Sequence, residues 1–233
     1  MIDRATRDKL IVALDLPTYD EARALVDRLG DTVSFYKIGL ELLFADGLSL
    51  AQELKREGKR VFLDLKFLDI GNTVEHAVAA AAKLGVDFIT VHGHDTKTMT
   101  AAVRGRGASN LKLLAVTVLT NLDQSDLDEQ GIAATPGGLV VGRARMAENA
   151  GFDGVIASGQ EAAAVRAETG PKFLIVTPGI RLPGAETGDQ SRITTPEEAL
   201  RFGANHLVVG RPINAARDPK AAAETFLAHI AGA

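Results

Sequence analysis

Short, β-branched apolar runs alternate along the chain with longer amphipathic segments rich in Ala, Leu and Glu. The runs at 11–14, 34–38, 60–63, 88–91, 113–118, 154–157, 173–177 and 206–209 read as strands. Between them, segments such as 19–29, 47–57, 73–84 and 138–150 place apolar residues at helical spacing. Alternation of this kind predicts parallel βαβ units, and eight units in 233 residues predict a (β/α)₈ TIM barrel. A doubly wound open sheet is the structural alternative. No linker, low-complexity tract or break in composition divides the sequence, so residues 1–233 read as a single domain.

Against this frame the polar residues fall into order. Asp15 follows the first strand, Lys37 lies near the end of the second, and Asp64 and Lys66 end the third. His92 ends the fourth, Thr120 follows the fifth, Arg181 the seventh, and Gly210-Arg211 the eighth. A barrel gathers all of these ends at its C-terminal face, where barrel active sites lie. The run Val61 to Thr73 is the most informative, because it passes from an apolar strand into Asp64, Lys66 and Asp69. Residues two apart on a strand share a face, which pairs Asp64 with Lys66. Burying an ion costs several kcal/mol unless it is paired, so a paired carboxylate and ammonium point to a site. A simple salt bridge at a strand end is the other account of the run. Asp69 follows the strand, where a turn can carry it away from its own barrel.

Composition narrows the chemistry. With 46% hydrophobic residues the chain can bury a large core, and a net charge of −4 gives no reason to expect nucleic acid or an anionic membrane as a partner. Cysteine is absent, which removes disulfides, thiolate nucleophiles and thiolate metal sites. The charged N-terminus lacks the apolar core of a signal peptide, and no apolar run approaches the roughly 20 residues of a membrane span. A soluble, cytoplasmic protein is expected.

Glycine followed by arginine after the last strand suits a phosphate, with close backbone approach, a bidentate cation and a helix N-terminus behind it. The loop 177–192 is rich in Gly and Pro and carries Arg181, Gln190 and Arg192; it reads either as a lid over that phosphate or as a solvated surface loop. His92 and His94 flank Gly93 without a thiolate or a His-Glu-x-x-His pattern, so no metal site is expected, and His92 reads as a hydrogen-bonded residue at the barrel top. Nothing resembles a P-loop or a dinucleotide fingerprint, so no nucleotide cofactor is expected. A Schiff-base lysine is conceivable at Lys37 or Lys66, but flanking aspartates hold a lysine protonated and favour a charge network.

The run Asp64-x-Lys66-x-x-Asp69, followed by Asn72-Thr73, resembles the orotidine 5′-phosphate decarboxylase family. So do Ala13-Leu14-Asp15, Tyr36-Lys37-Ile38-Gly39, the segment Val116 to Asn121, Thr177 to Arg181 with Asp189-Gln190-x-Arg192, and Val209-Gly210-Arg211. The likeness covers essentially the whole chain. Gly71 stands where many members carry proline, and Leu68 where many carry histidine.

The resemblance implies cofactor-independent decarboxylation of orotidine 5′-monophosphate to UMP in pyrimidine biosynthesis. In that scheme Asp64 crowds the substrate carboxylate, and Lys66 stabilises charge at C6 and delivers the proton. Lys37 and Asp69 keep Lys66 charged and oriented. Asp15 and Thr73 hold the ribose, Thr120 the pyrimidine, and Arg181, Gln190, Gly210 and Arg211 the phosphate. A homodimer is implied, with Asp69 and Thr73 reaching the neighbouring site. Two alternatives remain: a Mg²⁺-dependent sugar-phosphate decarboxylase or aldolase of the same superfamily, and a non-catalytic nucleotide-phosphate-binding barrel.

Overall fold

A computed structural model of the chain describes residues 2–184 and 193–233. Its parallel strands close into a single barrel in chain order: β1 (Leu10–Ala13), β2 (Phe35–Gly39), β3 (Arg60–Phe67), β4 (Phe88–His92), β5 (Lys112–Val116), β6 (Gly154–Ile156), β7 (Leu174–Thr177) and β8 (His206–Val209). The strand β8 pairs back onto β1, so the sheet has no edge and the doubly wound alternative falls away. Around it run helices α1 (Arg4–Lys9), α2 (Tyr19–Leu29), α3 (Leu40–Leu42), α4 (Leu48–Arg56), α5 (Gly71–Lys83) and α6 (Thr96–Arg106). They continue with α7 (Gln124–Glu129), α8 (Pro136–Asn149), α9 (Gly159–Glu168), α10 (Pro196–Arg201), α11 (Arg211–Asn214) and α12 (Pro219–Ala231).

Local sequence accounts for where these helices begin. Thr18, Asp95, Asp123, Thr135, Thr195 and Asp218 each accept a first-turn N–H at an N-cap. Proline in the first turn of α8, α10 and α12 fits where no backbone donor is needed.

Two strand ends differ from expectation by more than one residue. The strand β3 runs on to Phe67, which puts Asp64 within the strand rather than at its end. In contrast, β5 stops at Val116 rather than 118. There the Thr117 hydroxyl donates to the Ile156 carbonyl at 2.7 Å, and Arg143 donates to the Thr117 carbonyl, which turns the chain out of the ladder.

Alternation along the strands then builds the site. Inside the barrel Ile11, Phe35, Phe62, Phe88, Leu114 and Val208 form a small apolar plug, while Val12, Tyr36, Val61 and Val209 face the helices. Two residues beyond an inward-facing apolar residue comes another inward-facing one. Thus Phe35 leads to Lys37, Phe62 to Asp64, Phe88 to Thr90, Ala13 to Asp15 and Val208 to Gly210. The floor of the barrel is aromatic and its top is polar.

Candidate active site

Four charged side chains form an alternating row across the top of the plug. The Lys37 ammonium lies 2.9 Å from Asp15 Oδ1 and 3.4 Å from Asp64 Oδ2, and Lys66 Nζ lies 2.9 Å from Asp64 Oδ1. Lys37 is only 7% exposed. Burial opposes its charge, but Asp64 and Asp15 outweigh that cost and hold its pKa above the ordinary lysine value. Burial likewise opposes ionisation of Asp64, and Lys37 and Lys66 with their hydrogen bonds bring its pKa below the carboxylate norm. Lys37 is therefore a fixed cation and Asp64 a fixed anion.

Strand alternation does not explain the Asp64–Lys66 pair as expected. The register of β3 against β4 shifts between Leu63↔Ile89 and Phe67↔Val91, so three residues of β3 stand opposite Thr90 alone. Within this bulge Lys66 adopts a left-handed φ of 51°. The two side chains meet because the strand is bent there, not because it is regular.

A cavity of about 540 Å³ opens above the row, lined by Asp15, Lys37, Asp64, Lys66, Arg181 and Arg211 among others. A smaller space of about 160 Å³ adjoins it between Lys66, Phe62, Val118, Leu119, Thr120 and Pro178. Lys37, Asp64 and Lys66 line both, so the two are one site with a charged floor, a basic mouth and an apolar side slot. Gly210 also lines the larger cavity. The helix after it, α11, is a single turn, so an anion there would be held by the Arg211 guanidinium rather than by a long helix dipole. Arg181 is nearly buried and donates to the Ile180 carbonyl at 3.0 Å.

Of the residues expected at the site, Asp15, Lys37, Asp64, Lys66, Thr120, Arg181, Gly210 and Arg211 come together. Asp69 and Thr73 are exposed and line neither space. The Asp69 carboxylate instead accepts the Ile70 N–H at 2.6 Å. Gln190, and with it the second half of the expected lid, lies outside the described residues.

Three contributors were not singled out in the sequence. Thr90 is fully buried and bonded to both members of the Asp64–Lys66 pair. Asn214 lines the larger cavity and reaches the Ala13 carbonyl at 3.4 Å. Gly39 lines the same cavity beside Asp15 and Lys37. The expectation that His92 is hydrogen-bonded fails at Nδ1, which is buried without a partner among the described residues. Its ring packs against His94 at 4.6 Å, and burial, followed by His94, Lys66 and Arg143, brings its pKa down to about 4.

A family model described as orotidine 5′-phosphate decarboxylase / HUMPS family matches residues 8–226. The orotidine 5′-phosphate decarboxylase of Rhodopseudomonas palustris (strain HaA2) is 53% identical over 231 residues, spanning 99% of this chain and 98% of that protein. Its counterpart in Methylobacterium sp. (strain 4-46) is 55% identical over 230 residues, with 97% of each covered. Among solved structures, orotidine 5′-phosphate decarboxylase from Lactobacillus acidophilus matches with a TM-score of 0.83 at 39% identity, over 95% of this chain and 98% of that one. An uncharacterized conserved protein from Geobacillus kaustophilus matches with a TM-score of 0.82 at 32% identity, over 95% and 99%.

Proposed function

The chain belongs to the orotidine 5′-phosphate decarboxylase / HUMPS family, and we propose that it converts orotidine 5′-monophosphate to UMP and CO₂ without a metal or organic cofactor. The observation that carries this reading is the Asp15–Lys37–Asp64–Lys66 row on the floor of a cavity whose mouth is basic. A Mg²⁺-dependent sugar-phosphate enzyme would need an electropositive metal near these carboxylates. Here the space between Asp15 and Asp64 is taken by the Lys37 ammonium, which argues for the metal-free branch.

The chemistry follows from the row. With the phosphate held at Arg211 and Arg181 and the ribose at Asp15, the pyrimidine enters the slot beside Thr120, and its carboxylate faces Asp64. Two anions in contact disfavour the bound ground state, and that repulsion is relieved as CO₂ leaves. The C6–carboxylate bond breaks, its electron pair stays on C6, and the Lys66 ammonium stabilises that charge before giving C6 its proton. Lys66 is then reprotonated from solvent. Barrier reductions in the most proficient enzymes reach about 23 kcal/mol, so the ion pair needs help from phosphate and ribose binding remote from C6.

The reading includes a homodimer working in the cytoplasm. Supporting the dimer, Asp69 and Thr73 are exposed and do not line their own cavity. Phe44, 89% exposed, and Ile70, 79% exposed, lie with Leu40 and Leu68 after two neighbouring strands. Apolar surface of this kind suits a partner, and a second copy would receive Asp69 and Thr73. An aspartate introduced at Phe44 is expected to lower the sedimentation mass towards one chain and activity with it. An unchanged mass would remove this face from the interface.

The first test is purified protein with orotidine 5′-monophosphate and EDTA, followed by the loss of pyrimidine absorbance. Conversion to UMP is expected. No conversion, with turnover of a keto-sugar phosphate once Mg²⁺ is restored, would move the chain to the metal-dependent branch. In the same assay Lys66→Ala should lose nearly all turnover while still binding UMP, and near-normal turnover would end the proton-donor role.

A further inference from the structure

The bulge in β3 leaves an accounting problem that one side chain solves. Opposite the three residues Asp64, Leu65 and Lys66, the strand β4 offers only Thr90, so the regular ladder cannot satisfy the β3 backbone there. The Lys66 N–H is instead taken by the Thr90 hydroxyl oxygen at 2.9 Å. Having accepted that bond, the hydroxyl turns its own proton to Asp64 Oδ1, also at 2.9 Å. Thr90 is 0% exposed, so no water can substitute freely at either contact. The same oxygen thus holds the left-handed backbone that aims Lys66 and the carboxylate that Lys66 pairs with.

From this geometry we infer that Thr90 is the positioning residue of the Asp64–Lys66 pair: its hydroxyl, not its methyl group, fixes the separation and direction of the two groups that act on the substrate. The inference rests on the decarboxylase reading of the site. Thr90 lines neither space of the site and so acts through Asp64 and Lys66. Left-handed backbone at a non-glycine residue persists only where its surroundings hold it, and Thr90 supplies that hold from the neighbouring strand. Without the hydroxyl, the Lys66 N–H loses its partner, the bulge is free to relax, and Asp64 keeps its two lysines but loses its direction.

The test compares the wild type with Thr90→Val and Thr90→Ser for turnover of orotidine 5′-monophosphate, UMP affinity and melting temperature. Valine keeps the branched shape and removes the hydroxyl. It is expected to lower kcat about 10²-fold, the scale of an ångström of misplacement, with KM and UMP affinity within about threefold. Serine restores the hydroxyl and is expected to recover kcat to within about fivefold, although it loses the methyl group. A purely structural role would instead lower the melting temperature of both variants and leave kcat in the folded fraction unchanged. An active wild type beside a Thr90→Val enzyme within threefold in kcat, or serine as impaired as valine, overturns the inference alone. A wild type that does not turn over the substrate overturns the decarboxylase reading and this inference with it. Should Thr90→Val not fold, a folded Thr90→Ser that has lost more than tenfold in kcat overturns it.

Discussion

A methyl group on Gly39 would lie 2.9 Å from Asp15 Oδ1 and 3.2 Å from the Lys37 ammonium. Both are ends of side chains, so they can move aside at small cost to the fold. What they cannot do is move and keep the row intact. Gly39→Ala should therefore leave the melting temperature within a few degrees while lowering kcat/KM about 10²-fold, because the two groups it displaces are the ones that must be aligned. A large drop in melting temperature with kcat/KM preserved would show that Gly39 serves packing instead. At this scale the charges were legible: Asp15, Lys37, Asp64 and Lys66 announce themselves as ions at the ends of apolar strands. The uncharged supports were not. Gly39 and Asn214 look like ordinary turn and helix residues in sequence. Thr90 is the polar member of the run Phe88 to Val91, and a β-branched residue in a strand draws no notice. Its inward parity with Phe88 is the signal that could have found it.

The elements that deliver the site differ in how far local sequence fixes them. The helix at Tyr19–Leu29 keeps the bounds its helical spacing of apolar positions predicts, and Thr18 caps it in the fold. The bulge in β3 was illegible, since nothing in Leu63 to Phe67 breaks the alternation that predicts a regular strand; tertiary pairing with Thr90 imposes it. Gly71, which stands where many family members carry proline, follows the turn that presents Asp69. In the fold it is the first residue of α5, its φ is not positive, and Ile70 before it holds φ −54° and ψ 138°. Those are angles a residue before proline prefers, and the first helical position is one where proline fits. An added Cβ there would make ordinary contact with Ala101 at 3.4 Å. Gly71→Pro should therefore stabilise by about 0.4–1 kcal/mol, mainly by restricting the unfolded chain. The measurement is a melting temperature raised by roughly 1–4 °C at unchanged kcat. Gly105 on α6 is the opposite case, because a Cβ would come within 2.2 Å of the Glu75 carbonyl on α5. Gly105→Ala should push the two helices apart and cost about 1–3 kcal/mol. A melting temperature no lower than wild type would contradict this close packing.

Over the whole molecule the barrel separates a charged row at its top from an aromatic floor, and the row and the floor histidine respond to acid in different ranges. At the floor the His206 ring meets Phe88 at 5.2 Å and Phe35 at 5.9 Å, its Nδ1–H donates to the Asp8 carbonyl at 2.8 Å, and the Arg60 guanidinium lies 4.1 Å over Phe35. Burial, chiefly, brings the His206 pKa down to about 4, with Arg60 and Lys9 acting in the same direction and Asp8 against it. The folded protein therefore refuses a proton that the unfolded chain accepts below about pH 6.5. Stability contributed by neutral His206 is complete above pH 6.5, falls as pH drops below it, and is exhausted near pH 4. The full difference is about 3 kcal/mol. Asp64 acts lower: its depressed pKa adds stability present above the unfolded carboxylate value near 3.8 and lost as pH falls below that. Acid should thus loosen the floor before it discharges the row. Between pH 6.5 and 4 the melting temperature should fall by roughly 6–12 °C from His206 alone, at about 2–4 °C per kcal/mol for a chain of this size. His92, also brought down to about 4, and His94, lowered chiefly by burial, contribute below pH 6.5 as well. His206→Gln should therefore remove part of the slope rather than all of it. A slope unchanged by that substitution would mean that His206 carries the same charge in the folded and unfolded chains, and the acid sensitivity would then belong to the top of the barrel.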